Sequence, residues 1–189
     1  VTRNTRADVV QAAGRLFAER GYHGTSMRDV GRELGLLGSS LYSHVAGKQQ
    51  LLVEVVERGA ALFQAAADAA LHTDGSAQER LRAFVAGHVA VILDHLDEAR
   101  TFLNEARALD PAHRARVIAA RDRYETSLRT LLADGAGDGS FRPDLDPKLA
   151  GIFILSILNA VDRWYRETGP ADRTTLVDEV CGFVIAAVR

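Results

Sequence analysis

Cysteine is almost absent from this chain, and long apolar runs, strand-like alternation and catalytic motifs are missing. The single cysteine among 189 residues, Cys181, excludes an intramolecular disulfide framework and a multi-cysteine zinc site, and fits a reducing compartment. No apolar stretch approaches the roughly eighteen residues that a spanning helix needs. The first twenty residues carry Arg3, Arg6, Asp8, Arg15, Glu19 and Arg20 rather than the apolar core of a secretory signal, so a cytoplasmic protein is expected, with no membrane partner. Gly38-Ser39-Ser40-Leu41 lacks the second glycine of a nucleophile elbow, and Gly47-Lys48-Gln49 lacks both the upstream glycine and the hydroxyl residue of a phosphate loop. His88 and His95 stand seven apart, without the ligand spacing of a metal helix, so neither a metal nor a cofactor is expected.

With 47% hydrophobic and 25% charged residues, the composition is that of an ordinary globular protein of one domain or two small ones. Its net charge of −2 is an average over unlike parts. Residues 1–50 hold seven Lys/Arg against four Asp/Glu, a balance of +3, and the remainder is left at −5. Such a split is either a basic surface for a polyanion or a solvated face of short helices.

Periodicity predicts an all-α fold of about nine helices. Val9, Val10, Ala13, Leu16 and Phe17 mark a helix over 5–20 that Gly21 ends, and Thr25 and Ser26 precede a short one that turns Met27, Val30 and Leu34 inward. A third short helix over 38–44 buries Leu41, and a fourth runs from Gly47-Lys48 to about Leu71. Further helices are expected over 76–94, 98–108, 111–133, 147–167 and 172–188, with a long Gly/Asp-rich connection over 134–147. A helix-turn-helix needs a small residue where its helices cross, a glycine in the turn and an apolar anchor beyond it. Gly31, Gly35 and Leu41 supply these, leaving Gly38, Ser39, Ser40, Tyr42 and His44 to face outward.

The run Gly21-Tyr-His-Gly-Thr-Ser-Met-Arg-Asp-Val30, with Gly35, Leu41-Tyr-Ser-His44 and Lys48-Gln-Gln-Leu-Leu52, resembles the DNA-binding domain of TetR-family transcriptional regulators over about residues 6–52. It departs from the family at Leu37, where a capping Ser or Thr is common. The resemblance implies a helix-turn-helix domain over 1–48 and a helical ligand-binding and dimerisation domain over 49–189. It implies a regulator, most simply a repressor, released from a palindromic operator by a small molecule. Carried onto this sequence, it assigns Thr25, Tyr42, His44 and Lys48 to phosphates, and places Arg28, Gly38, Ser39 and Ser40 at or beside base edges, with Ser26 at the head of the first reading helix. Arg28 is the one charged side chain in the set long enough to grip a guanine with two hydrogen bonds.

One helix-turn-helix reads a half-site, so a homodimer is expected, with the two C-terminal helices as its interface because both are apolar on more than one face. Burial of both within one subunit is the alternative. In the helix over 147–167, Ile152, Leu155, Ser156, Asn159, Arg163 and Arg166 share a helical spacing beside Trp164, an apolar stripe that turns cationic. Such a stripe suits an amphipathic anion, and Asn159-x-x-x-Arg-Trp-Tyr-Arg166 is similar to the acyl-CoA-responsive branch of the family. Ion pairs of the two arginines with Asp162 or Glu167 explain the same residues. Phe84, His88, Asn104, Arg107 and Tyr124 complete the candidate ligand contacts, together with Asn159, Arg163 and Trp164. A sensor of cationic or aromatic drugs, a helical enzyme and a ligand-free DNA-binding scaffold are the competing readings.

Overall fold

The structure is a computed structural model that describes residues 5–36, 38–166 and 168–189, with the surroundings of the Gly38 and Ser39 side chains outside that description. Helix α1 (Arg6–Arg20) starts at a capping box: the Thr5 hydroxyl accepts the Asp8 N–H, and the Asp8 carboxylate accepts the Thr5 N–H at 2.6 Å. Its apolar stripe buries Val9, Val10, Ala13, Leu16 and Phe17. Ser26 and Asp29 repeat the device at α2 (Met27–Glu33), and the hydrogen bonds from Ser26 hold the Asp29 carboxyl below its usual range. Helix α2 closes with the paired bonds of a glycine stop: Gly35 N–H reaches Arg32 O, Leu36 N–H reaches Gly31 O at 2.8 Å, and Gly35 takes φ +65°.

The remaining elements are α3 (Gly38–Tyr42), α4 (Lys48–Leu71), α5 (Ala77–Asp94), α6 (Leu96–Asn104), a 3-10 turn (Ala106–Ala108), α7 (Pro111–Gly137), α8 (Pro147–Leu158), α9 (Val161–Trp164) and α10 (Arg173–Val188). No strand occurs among the described residues, so the fold is all-α, as the periodicity predicts. The chain packs as two compact units. The first runs to Ala61 and resumes over His95–Ala119; the second comprises Leu62–Asp94 and Ala120–Arg189. Packing therefore groups the chain differently from a division at residue 48, because α6 and the 3-10 turn return to the helices that open the sequence.

In the first unit α1 packs on α6, and α4 crosses α6 at Gly59. A methyl group on Gly59 would lie 2.6 Å from Glu98 O and 2.8 Å from Phe102 Cβ, so the two backbones approach as closely as they do only because the side chain is absent. The second unit buries Phe63, Leu81, Phe84, Ile92, Leu128, Leu132 and Leu158. There α5 contacts α8, α9 and α10.

Three expectations from periodicity are corrected. Helix α7 continues to Gly137 instead of ending near 133, because Phe141 folds back over Gly135, its N–H on Gly135 O at 2.8 Å, and gives the Gly-rich segment an apolar anchor. The stretch 98–108 starts earlier and splits, with α6 closing at Asn104 before the 3-10 turn. The helix over 147–167 breaks after Leu158: Ala160 N–H bonds to Ile157 O, which tightens the turn and separates α8 from α9. Its buried face is Gly151, Ile154 and Leu158, with Gly151 set against Arg129 and Leu128. The stripe does not face inward along its length: Ile152 and Ser156 are exposed, and Asn159 alone of its polar residues before the break is half-buried.

Gly59→Ala should overpack the α4–α6 crossing and cost about 1–3 kcal/mol. Urea denaturation at equilibrium checks this, with a lower midpoint at unchanged slope as the expected outcome.

Candidate nucleic-acid interface and effector cluster

The helix-turn-helix lies within the first unit. A Cβ on Gly31 would meet Leu36 O at 3.1 Å and the Leu41 side chain at 3.8 Å, which is the tight crossing that demands a small residue. Val30 on α2 and Leu41 on α3 are buried, whereas Ser40 and Tyr42 on α3, and Ser43 just after it, face solvent, Tyr42 at 57% exposure. Arg28 is exposed and makes no ion pair among the described residues. Its cationic neighbours are engaged: Arg15 pairs with Glu33, Arg32 with Asp29, and Arg6 with Glu54 while donating to His44 O. His44 is half-buried, and Ser26 uses its hydroxyl on Asp29 at 2.5 Å. The side-chain surroundings expected for Gly38 and Ser39 lie outside the described residues, as does Leu37.

Two residues expected at phosphates point inward instead. Thr25 is 2% exposed, and its hydroxyl donates toward Leu16 O at 3.1 Å and Gly21 O at 3.0 Å, tying the start of α2 to the end of α1. The Lys48 ammonium donates to Tyr22 O and Thr25 O, both at 2.8 Å, and sits 4.0 Å from the centroid of the Tyr22 ring. Charge near a helix start suggested phosphate; in the structure the ammonium meets the carbonyls of the turn between α1 and α2. Around this point Tyr22 donates its hydroxyl to Gln49 at 2.8 Å and its N–H to Glu105 at 3.1 Å, while Gln49 donates to Ala108 O. Burial raises the Tyr22 phenol above its ordinary pKa. Sequence reasoning missed Tyr22, Gln49 and Glu105. The available signal was an aromatic residue directly after the helix-ending Gly21.

Four of the eight expected ligand contacts gather in the second unit. His88 and Tyr124 join Nδ1 to the phenol oxygen at 2.8 Å, and Phe84 lies 5.1 Å from Tyr124 between ring centroids. Phe63, missed as a site residue because it continues the apolar stripe of α4, stands 4.8 Å from the His88 ring and 5.7 Å from that of Tyr124. Half-buried Asn159, at the C-terminal end of α8, is the polar side chain that bears on His88. Burial lowers the His88 pKa to about 3, with Asn159 opposing the shift, so the ring is neutral. Burial likewise pushes the Tyr124 phenol up. The other four residues lie elsewhere. Arg163 and Trp164 are exposed on α9; Asn104 and Arg107 are exposed in the first unit, where the Asn104 amide donates to Arg100 O.

Helices α8 and α10 carry Leu149, Ile152, Phe153 and Phe183 on their outer faces, with Phe153 at 64% and Phe183 at 61% exposure. Between them lies a groove of about 380 Å³, floored by Ile154 and Val184 and edged by Arg142 and Asp144. Among the described residues no cluster of three or more His, Cys, Asp or Glu is arranged to hold a metal ion, and no helix is long and apolar enough to cross a membrane.

Comparison with known proteins matches residues 9–55 to the model for bacterial regulatory proteins of the tetR family, and residues 74–188 to the tetracyclin repressor-like C-terminal domain. The chain is 29% identical to the HTH-type transcriptional repressor KstR2 of Mycolicibacterium smegmatis, over 97% of this chain and 90% of that protein. It superposes on the TetR-family regulator PfmR of Thermus thermophilus with a TM-score of 0.85 at 32% identity, covering 94% of this chain and 97% of the other. AibR, solved with isovaleryl coenzyme A and operator DNA, shares the fold at a TM-score of 0.84 and 23% identity, covering 97% of each chain.

Lys48→Met should destabilise the DNA-free protein by about 1.5–3 kcal/mol, since two carbonyls lose a charged donor. Urea denaturation without DNA checks this, because a lysine that serves only phosphates would leave the midpoint in place. Between about pH 6.5 and pH 3 the unfolded chain takes up a proton on His88 that the folded chain refuses. Stability from this group is therefore complete above pH 6.5 and falls as pH drops through that window, by about 1.4 kcal/mol per pH unit. From pH 7 to pH 5 the wild type should lose about 2 kcal/mol more than His88→Phe, measured by denaturant midpoints at each pH.

Proposed function

The chain belongs to the TetR family of bacterial regulatory proteins and is a DNA-binding transcriptional regulator, and from that premise we propose a homodimeric repressor that an acyl-CoA thioester releases from a palindromic operator. The observation that carries it is the outer face of the helix-turn-helix, where Arg28 makes no ion pair among the described residues and Ser40 and Tyr42 stand exposed around the buried Leu41 anchor. Arg28 reads a base edge, Gly38, Ser39 and Ser40 let the helix approach the groove, and Tyr42 and His44 meet phosphates. Thr25, Ser26 and Lys48 hold the reading helices in place rather than touching DNA. No catalytic residue is assigned, and action on DNA sets the protein in the cytoplasm.

Residues 1–48 form the reading domain in this proposal, and residues 49–189 the effector and dimerisation part. The apolar outer faces of α8 and α10 supply the dimer contact, since an exposed cluster of this kind favours a matching copy over water. The effector class is supported by the buried aromatic cluster around neutral His88, suited to an acyl chain, and by AibR, which was solved with isovaleryl coenzyme A. Arg163 and Trp164, exposed on α9, are proposed to meet the coenzyme's phosphates and adenine. Asn104 and Arg107, grouped with the first unit, have no support as ligand contacts. Release requires that the ligand bind the DNA-incompetent state more tightly than the competent one. Helices α4 and α7 have residues in both units and are the proposed carriers of that bias.

Footprinting on the DNA upstream of the protein's own gene should show a protected palindrome that octanoyl-CoA clears. A footprint indifferent to acyl-CoA esters but cleared by cationic drugs overturns the effector class, and the absence of any footprint overturns the operator. Arg28→Ala should cost about 1–3 kcal/mol of operator binding and relax preference at one base pair. Phe153→Arg should yield a monomer in sedimentation that no longer protects the palindrome.

A further inference from the structure

We propose that His88 presents its Nε2–H to the effector as a neutral hydrogen-bond donor, aimed at a carbonyl oxygen, and that Tyr124 fixes the ring in that tautomer. This rests on the effector assignment above and specifies what the buried part of the ligand must offer.

The proton accounting begins at the phenol. Among the described residues His88 Nδ1, at 2.8 Å, is the sole hydrogen-bond partner of the buried Tyr124 hydroxyl. If Nδ1 carried the ring proton, the phenol could only accept from it, and its own proton would be left without an acceptor in an apolar interior. The phenol therefore donates and Nδ1 accepts. Burial keeps the ring neutral, so its one remaining proton sits on Nε2. That atom is fully enclosed and completes no hydrogen bond in the structure, the Asn159 side chain being the polar group that bears on the ring. An unmet donor inside a ring of Phe63, Phe84 and Tyr124 bears its full desolvation cost until a lone pair arrives.

The required acceptor follows from the surroundings. An ammonium group has no lone pair to offer, which removes cationic drugs. A carboxylate has lone pairs but would itself be stripped of water among aromatic rings, with only a neutral donor in return. An uncharged carbonyl, as in a thioester or a ketone, meets the donor without that cost. Asn159, which bears on the same ring from the end of α8, is placed to exchange its influence on Nε2 for that of the ligand.

The test uses the full chain labelled with nitrogen-15 at histidine. Two-bond proton–nitrogen correlation should show His88 with its proton on Nε2, and Tyr124→Phe should mix the tautomers; a proton on Nδ1 in the wild type overturns the proposal. Calorimetry then compares octanoyl-CoA with S-octyl-CoA, the thioether that lacks the carbonyl. The wild type should prefer the thioester by about tenfold, and His88→Phe should bind both alike, at the thioether's affinity. Tyr124→Phe, which keeps the histidine, should retain only part of the preference. Equal binding by the wild type overturns the carbonyl contact while leaving the acyl-CoA effector standing. Binding of neither compound overturns the acyl-CoA assignment and the contact with it.

Discussion

Where one helix gives way to the next, backbone carbonyls turn out of the helical ladder, and in this protein the turn between α1 and α2 hands the carbonyls of Tyr22 and Thr25 to one ammonium group. Lys48 opens α4, so the bond that completes the end of one helix also sets the start of another. Thr25 joins from below through Leu16 and Gly21, and Gln49 and Glu105 bind Tyr22 from the side. The reading helices thus stand on a knot of backbone acceptors rather than on apolar contact alone. A three-helix head of this length has little core of its own, and the return of residues 95–119 to the same unit enlarges it.

The second unit is organised on a different principle. Its centre has aromatic rings from α4, α5 and α7 about one neutral imidazole, and its polar atoms are almost accounted for. Among the rings themselves the exception is Nε2 of His88, a buried nitrogen without a partner in the structure. Buried polar groups without partners are uncommon in native proteins, and one enclosed by aromatic rings suggests that the complete set of contacts includes a ligand.

Most of the helices, and the helix-turn-helix in particular, were legible in the sequence because each rests on local chemistry: Gly35 in the turn, Gly31 at the crossing, Leu41 as anchor and serine or threonine at the caps. What the sequence left illegible has equally physical causes. Thr25 and Lys48 carry groups that suit a phosphate, but which acceptor they meet depends on carbonyls whose openness is decided by helix ends, a tertiary matter. The stripe over 152–166 assumed one straight helix turned inward at Ile152; α8 instead buries Gly151, Ile154 and Leu158, and a tightened turn at Ala160 separates that helix from Arg163 and Arg166. Phe84, His88, Tyr124 and Asn159 come together from segments far apart in sequence, and nothing in their local pattern separates them from Asn104 and Arg107, which pack elsewhere.

The inward turn of Lys48 also bears on the ionic strength at which such a protein works. A cation that meets DNA displaces condensed counterions, and each phosphate neutralised adds about one unit to the slope of affinity against salt. A lysine whose hydrogen bonds and aromatic face are already taken by its own chain releases no such ions. With Lys48 held in this way the slope is smaller by about one unit, and the other cations of the reading domain, Arg28 among them, carry what remains.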